Sequence, residues 1–67
     1  MTSPALSVVV PVFNESGNVA GLVDEIVAAL RGRVDFEMVF VDDHSADDTL
    51  AVLGALKARV PELRVLH

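Results

Sequence analysis

Two apolar runs with almost no polar interruption, Leu6–Phe13 (LSVVVPVF) and Phe36–Val41 (FEMVFV), constrain the fold more than any other feature of the chain. Runs so rich in valine suit strands covered on both faces, as in parallel sheets, better than strands with one wet face. Pro11 cannot donate to a ladder, so the first strand is expected to end about there. Between the runs, Val19, Leu22, Val23, Ile26, Val27 and Leu30 recur at three- and four-residue steps, with Asp24 and Glu25 on the opposite face. That period predicts a helix of three to four turns. It is capped by Asn14 or Ser16 and stopped by Arg31-Gly32-Arg33. A second helix is expected from about Ser45 or Ala46, where Ser45 and Asp48 have capping-box spacing. Its inner stripe is Leu50, Leu53, Leu56 and Val60, and Pro61 ends it. Leu63–Leu66 reads as a third strand.

Strand, helix, strand, helix, strand with right-handed crossovers gives an α/β fold, half of a doubly wound parallel sheet in the order 3-2-1. The 67 residues form at most one small domain, and the hydrophobic fraction of 52% is high for so short a chain. Residues 1–67 are therefore expected to be the opening part of a larger domain. With no cysteine, neither a disulfide nor a thiolate zinc site can staple it. A net charge of −5 and five scattered basic residues argue against nucleic-acid binding. Met1 to Pro4 lacks a basic leader region, and the first apolar run is too short to span a bilayer, so the expected location is cytoplasmic.

Ligands of open parallel sheets bind beyond the carboxyl ends of the strands. Pro11-Val12-Phe13-Asn14-Glu15 and Val41-Asp42-Asp43-His44-Ser45 both fall there, bringing three carboxylates and a ring to one rim. A dinucleotide site would need glycines after the first strand, where Glu15 would instead repel a pyrophosphate. His44 has no second histidine nearby in the sequence to make a metal site. Phe13 is expected to be partly core, and Asp47 and Asp48 to be helix-start residues.

These two segments, with Asp48-Thr49-Leu50, resemble the start of family-2 glycosyltransferases, closest to the polyprenyl-phosphate sugar transferases such as the dolichol-phosphate mannosyltransferases. The resemblance covers essentially the whole chain. It implies a GT-A fold and a nucleoside diphosphate sugar (a GDP- or UDP-hexose) as donor. Pro11 and Phe13 would line the base pocket, Glu15 would lie beside the nucleotide, Val41 would offer backbone contact and Asp43 would accept a hydrogen bond from the base. Asp42 would order the loop. It implies a polyprenyl-phosphate acceptor at the cytoplasmic membrane face and a divalent cation, Mg²⁺ or Mn²⁺, with ligands and catalytic base beyond residue 67. Residues 1–67 alone would then be inactive and, with an apolar strand edge bare, prone to self-association. Phe13 stands where the family more often has tyrosine, and His44 where it usually has glycine. The acidic pair also resembles that of a response-regulator receiver, although there it follows the first strand. A non-catalytic α/β interaction module is the third reading.

Overall fold

In a computed structural model, which describes residues 4–67, the valine-rich runs form strands and the periodic stretches between them form helices. The elements are β1 (Leu6–Val12), α1 (Val19–Leu30), β2 (Phe36–Asp42), α2 (Thr49–Arg59) and β3 (Leu63–Leu66). The strands are parallel in the order β1-β2-β3, as expected. β1 and β2 pair without a bulge, from Leu6 opposite Phe36 to Val12 opposite Asp42. Of the leader reading, residues 1–3 lie outside the described residues.

Both helices pack on one face of the sheet. Val19 and Val23 of α1 and Leu53 and Leu56 of α2 share one buried cluster with Phe36, Met38 and Phe40, alternate residues of β2. The period-2 pleat places the intervening residues on the other face: Ser7, Val9 and Pro11, then Glu37, Val39 and Val41, then Arg64 and Leu66. Among the described residues no helix covers that face, and Val9 and Leu66 are 63% and 57% exposed. Among the described residues β1 is therefore an edge strand with one covered face, the bare edge expected of residues 1–67 taken by themselves. Pro11 is tolerated on such an edge, and the strand continues one residue past it.

The helix starts also differ from expectation. α2 begins at Thr49, three to four residues late, and no Ser45–Asp48 capping box forms. Asp42 takes the Ser45 hydroxyl, and Asp47 Oδ1 accepts the Thr49 amide at 2.9 Å. Leu53, Leu56 and Val60 are buried as expected, but the inner stripe opens with the fully buried Thr49, leaving Leu50 38% exposed. α1 begins after Asn18 with no side-chain cap, because Asn14 is engaged elsewhere. At its far end Gly32 takes φ 83°, a left-handed stop. There the Arg31 guanidinium donates through Nε to Glu62 Oε2 at 3.0 Å and through Nη2 to Glu62 Oε1 at 2.7 Å. These hydrogen bonds hold the Glu62 carboxyl below the usual carboxylate range and raise Arg31. Among the described residues no helix is long and apolar enough to cross a membrane.

Candidate functional site

At the carboxyl ends of β1 and β2 the pleat separates Asp42 from four of the six predicted site residues, and the loop after β1 carries Glu15 to the strand's outer edge. Pro11 and Val41 are register partners on the uncovered face. Phe13 and Asp43 follow two residues further on, and both are exposed. Phe13, at 56% exposure, is not a core residue. The ladder ends just beneath it, with the Asp43 amide donating to the Val12 carbonyl at 3.1 Å. Pro11, Phe13, Val41 and Asp43 thus come together at one rim.

Asp42 and Glu15 go elsewhere. Asp42 is only 3% exposed and faces the helix side, where its carboxylate accepts from the Ser45 hydroxyl and, at 3.4 Å, from the Ser45 amide. His67 Nε2 lies 3.7 Å from its Oδ2. Two neighbouring carboxylates are therefore divided in task, one bound into the loop and one left free. Glu15 lines a cleft of about 530 Å³ along the outer edge of β1, with Pro11, Val12, Asn18 and Leu22 among its walls. Its Oε2 accepts from Asn18 Nδ2 at 2.8 Å, and its carbonyl accepts from the Asn18 and Val19 amides.

The two loops are also stitched to each other, which the sequence did not reveal. Asn14 donates its amide to Ser45 Oγ at 2.9 Å, and its Oδ1 accepts from the Ala46 and Asp47 amides at 2.7 and 3.3 Å. Like the Asn14 amide, the next two amides of this loop donate across, Glu15 to Thr49 Oγ1 at 2.8 Å and Ser16 to Asp47 Oδ2 at 3.3 Å. Hydrogen bonds, chiefly from the Thr49 hydroxyl, lower the Asp47 carboxyl to about 2, so it remains an acceptor in mild acid. Asn14 and Ser45 were legible as turn residues. Their partners lie some thirty positions away and appear only once the strands are paired.

His44 adopts φ 54°, the left-handed region that favours glycine, and its ring meets His67 edge-on with centroids 5.2 Å apart. The loop thus keeps a glycine-like backbone while carrying a side chain that strains it. His44→Gly is expected to stabilise the protein by up to about 1 kcal/mol, read as a rise of several degrees in thermal midpoint. A lower midpoint would mean that the ring contact outweighs the strain.

Among the described residues no group of three or more His, Asp or Glu side chains is arranged to hold a metal ion. With Asp42 turned inward, Asp43 stands alone, so the donor set does not fit a divalent cation. Arg31 and Arg33 follow α1, Lys57 and Arg59 stand in the last turn of α2 and Arg64 near the start of β3, so all five basic residues lie at the opposite end of the strands from this rim.

Three parallel strands with both helices on one face and a polar rim beyond the strand ends define an α/β protein, half of a doubly wound parallel sheet. The chain belongs to glycosyl transferase family 2, whose family model matches residues 7–67. It is 30% identical over 62 residues to a poly(ribitol-phosphate) beta-glucosyltransferase of Bacillus spizizenii, covering 92% of this chain and 10% of that protein. It is 32% identical over 65 residues to a dolichyl-phosphate beta-glucosyltransferase of Trichomonas vaginalis, covering 88% of this chain and 19% of that one. An undecaprenyl-phosphate 4-deoxy-4-formamido-L-arabinose transferase of Sodalis glossinidius is 41% identical over 61 residues, covering 82% of this chain and 18% of the relative. The chain thus spans a fifth or less of the length of these three relatives. The receiver-like reading of Asp42 and Asp43 gives way to this membership.

Proposed function

We propose that residues 1–67 supply the nucleotide-recognition part of an enzyme that transfers a hexose from a nucleoside diphosphate sugar to an acceptor. What chiefly supports this reading is an exposed ring and an exposed carboxylate, Phe13 and Asp43, at the ends of two register-paired strands in a family-2 chain. A carboxylate accepts from the N–H groups of a guanine edge or from uracil N3–H, and an aromatic face stacks on either base. Pro11 and Val41 would form the apolar floor beside them, Val41 also offering its backbone, and Glu15, which shares the cleft at the edge of β1 with Pro11, would lie on the nucleotide's flank. Asp42 holds the loop in place. GDP- and UDP-sugars are the donor classes this chemistry admits.

The leaving diphosphate calls for positive charge, and the basic residues here stand at the wrong end of the sheet. A Mg²⁺ or Mn²⁺ ion held by residues outside 1–67 would supply that charge when bound. The relatives named for dolichyl and undecaprenyl phosphate favour a polyprenyl-phosphate acceptor, and we propose that it is met at the cytoplasmic face of a membrane. Residues 1–67 by themselves are expected to turn over no sugar nucleotide.

The test is calorimetric titration of UDP and of GDP into the intact protein, with Mg²⁺ or Mn²⁺ present. Saturable binding of one or both is expected. A folded protein that binds neither counts against the reading.

A further inference from the structure

We propose that Asn14 is a positioning residue, locking the loop after β1 to the loop after β2 so that Phe13 and Asp43 meet a ligand at a fixed separation. This rests on the nucleotide-binding reading above. Loops that join parallel strands to helices are normally free to move independently, because the ladder stops at the strand ends. Here the last backbone tie between the strand ends is the Asp43 amide on Val12, and both candidate ligand groups lie at or beyond it.

Past that point the loops are joined through side chains. Asn14 makes three of the five side-chain-to-backbone hydrogen bonds that cross between them. Both acceptor directions of its Oδ1 are used, on the Ala46 and Asp47 amides, which precede α2 and have no partner in the helix. Two amide donors also fix the assignment of the side-chain oxygen, since the NH₂ group could accept neither. Its own amide goes to Ser45 Oγ, the hydroxyl that donates to the buried Asp42. A chain of bonds therefore runs from Asn14 through Ser45 to Asp42, the residue next to Asp43. Phe13 is the neighbour of Asn14 on the other side.

The conformation selects the residue type. At φ 52° Asn14 is left-handed, where glycine is unstrained and asparagine, aspartate and histidine are the better tolerated side chains. Glycine lacks the acceptor. Only asparagine or aspartate meets both demands, so the two variants separate backbone strain from the lost hydrogen bonds.

The experiment measures UDP and GDP affinity of the intact protein as wild type, N14G and N14D, with a thermal melt of each. N14G keeps the backbone angle and loses the acceptor, and roughly tenfold weaker binding is expected. N14D restores the acceptor and should recover most of that loss, which a general loss of packing would not allow. Unchanged affinity in a folded N14G overturns the proposal, as does a loss that N14D fails to reverse. Backbone amide exchange of the wild type decides the locking itself, whether or not either nucleotide binds or N14G folds. The amides of Asn14, Glu15, Ala46 and Asp47 should be protected together. Free exchange of these amides while β1 and β2 stay protected overturns it. Absence of nucleotide binding with those amides protected instead refutes the function reading and leaves the lock standing.

Discussion

Asp43→Ala should weaken sugar-nucleotide binding by about 1–3 kcal/mol, a factor of roughly 5 to 150, without shifting the thermal midpoint. The Asp43 side chain is exposed, and no hydrogen bond to its carboxylate joins it to the rest of the described chain, so the fold does not depend on it. Its neighbour should act on the fold as well as on binding. Asp42→Ala removes the acceptor for both the Ser45 amide and hydroxyl in a site that is 3% exposed, leaving those groups without their partner. That change is expected to cost about 1–3 kcal/mol of stability. Calorimetry and melting on the two variants separate them: Asp43→Ala loses affinity alone, whereas Asp42→Ala lowers the thermal midpoint and, by freeing Ser45, weakens binding with it. Equal nucleotide affinity in wild type and Asp43→Ala would remove Asp43 from the pocket.

Residues 1–67 on their own are expected to self-associate rather than to persist as a stable monomer. The outer edge of β1 has no strand partner among the described residues, and bare strand edges are templates for pairing with a second copy. The same strand presents Val9 on the helix-free face, which Val39, Val41 and Leu66 extend. Three strands covered on one side bury too little to offset the ordering of about 1.5 kcal/mol per residue. Val9→Lys, which places a charge on that face at the edge strand, should shift sedimentation towards the monomer. A wild-type chain that is monodisperse and monomeric, with a cooperative transition above about 45 °C, would show that this expectation is wrong.

Much of this architecture was legible because hydrophobic period and chain order carry it. The runs at Leu6 and Phe36, the stripe from Val19 to Leu30 and the stop at Pro61 fix element type, and the crossover rule fixes strand order. What the sequence misjudged depends on partners distant along the chain. Ser45 and Asp48 have the spacing of a cap, but Asp42 claims Ser45 once the loop turns at His44, and α2 starts later. The stripe through Leu53, Leu56 and Val60 keeps its phase, but its first member is Thr49, four residues before Leu53, rather than Leu50, three before it. Phe13 looked like core from its hydrophobicity, yet it lies one residue past the end of β1, where no element covers it. For the site, the two rim segments were readable, whereas the division of labour within the acidic pair needed the pleat. Alternation puts Asp42 beneath the sheet and leaves Asp43 at its lip.

The unbroken pairing of β1 with β2 works as a reading frame for the site. Every partner of a β1 residue stands thirty positions later, from Leu6 with Phe36 to Val12 with Asp42. Insertions in the connector between α1 and β2, around Gly32 and Arg33, change that interval without changing which face each residue occupies. A single deletion inside Leu6–Val12 is different in kind, because a one-residue slip sends every side chain beyond it to the opposite face. Asn14 would then stand where the ring of Phe13 had been, and Glu15 would inherit the inter-loop contacts. Length variation among descendants of this sequence should therefore collect in the connectors and be purged from the strand, even at positions such as Val9 whose side chains touch little.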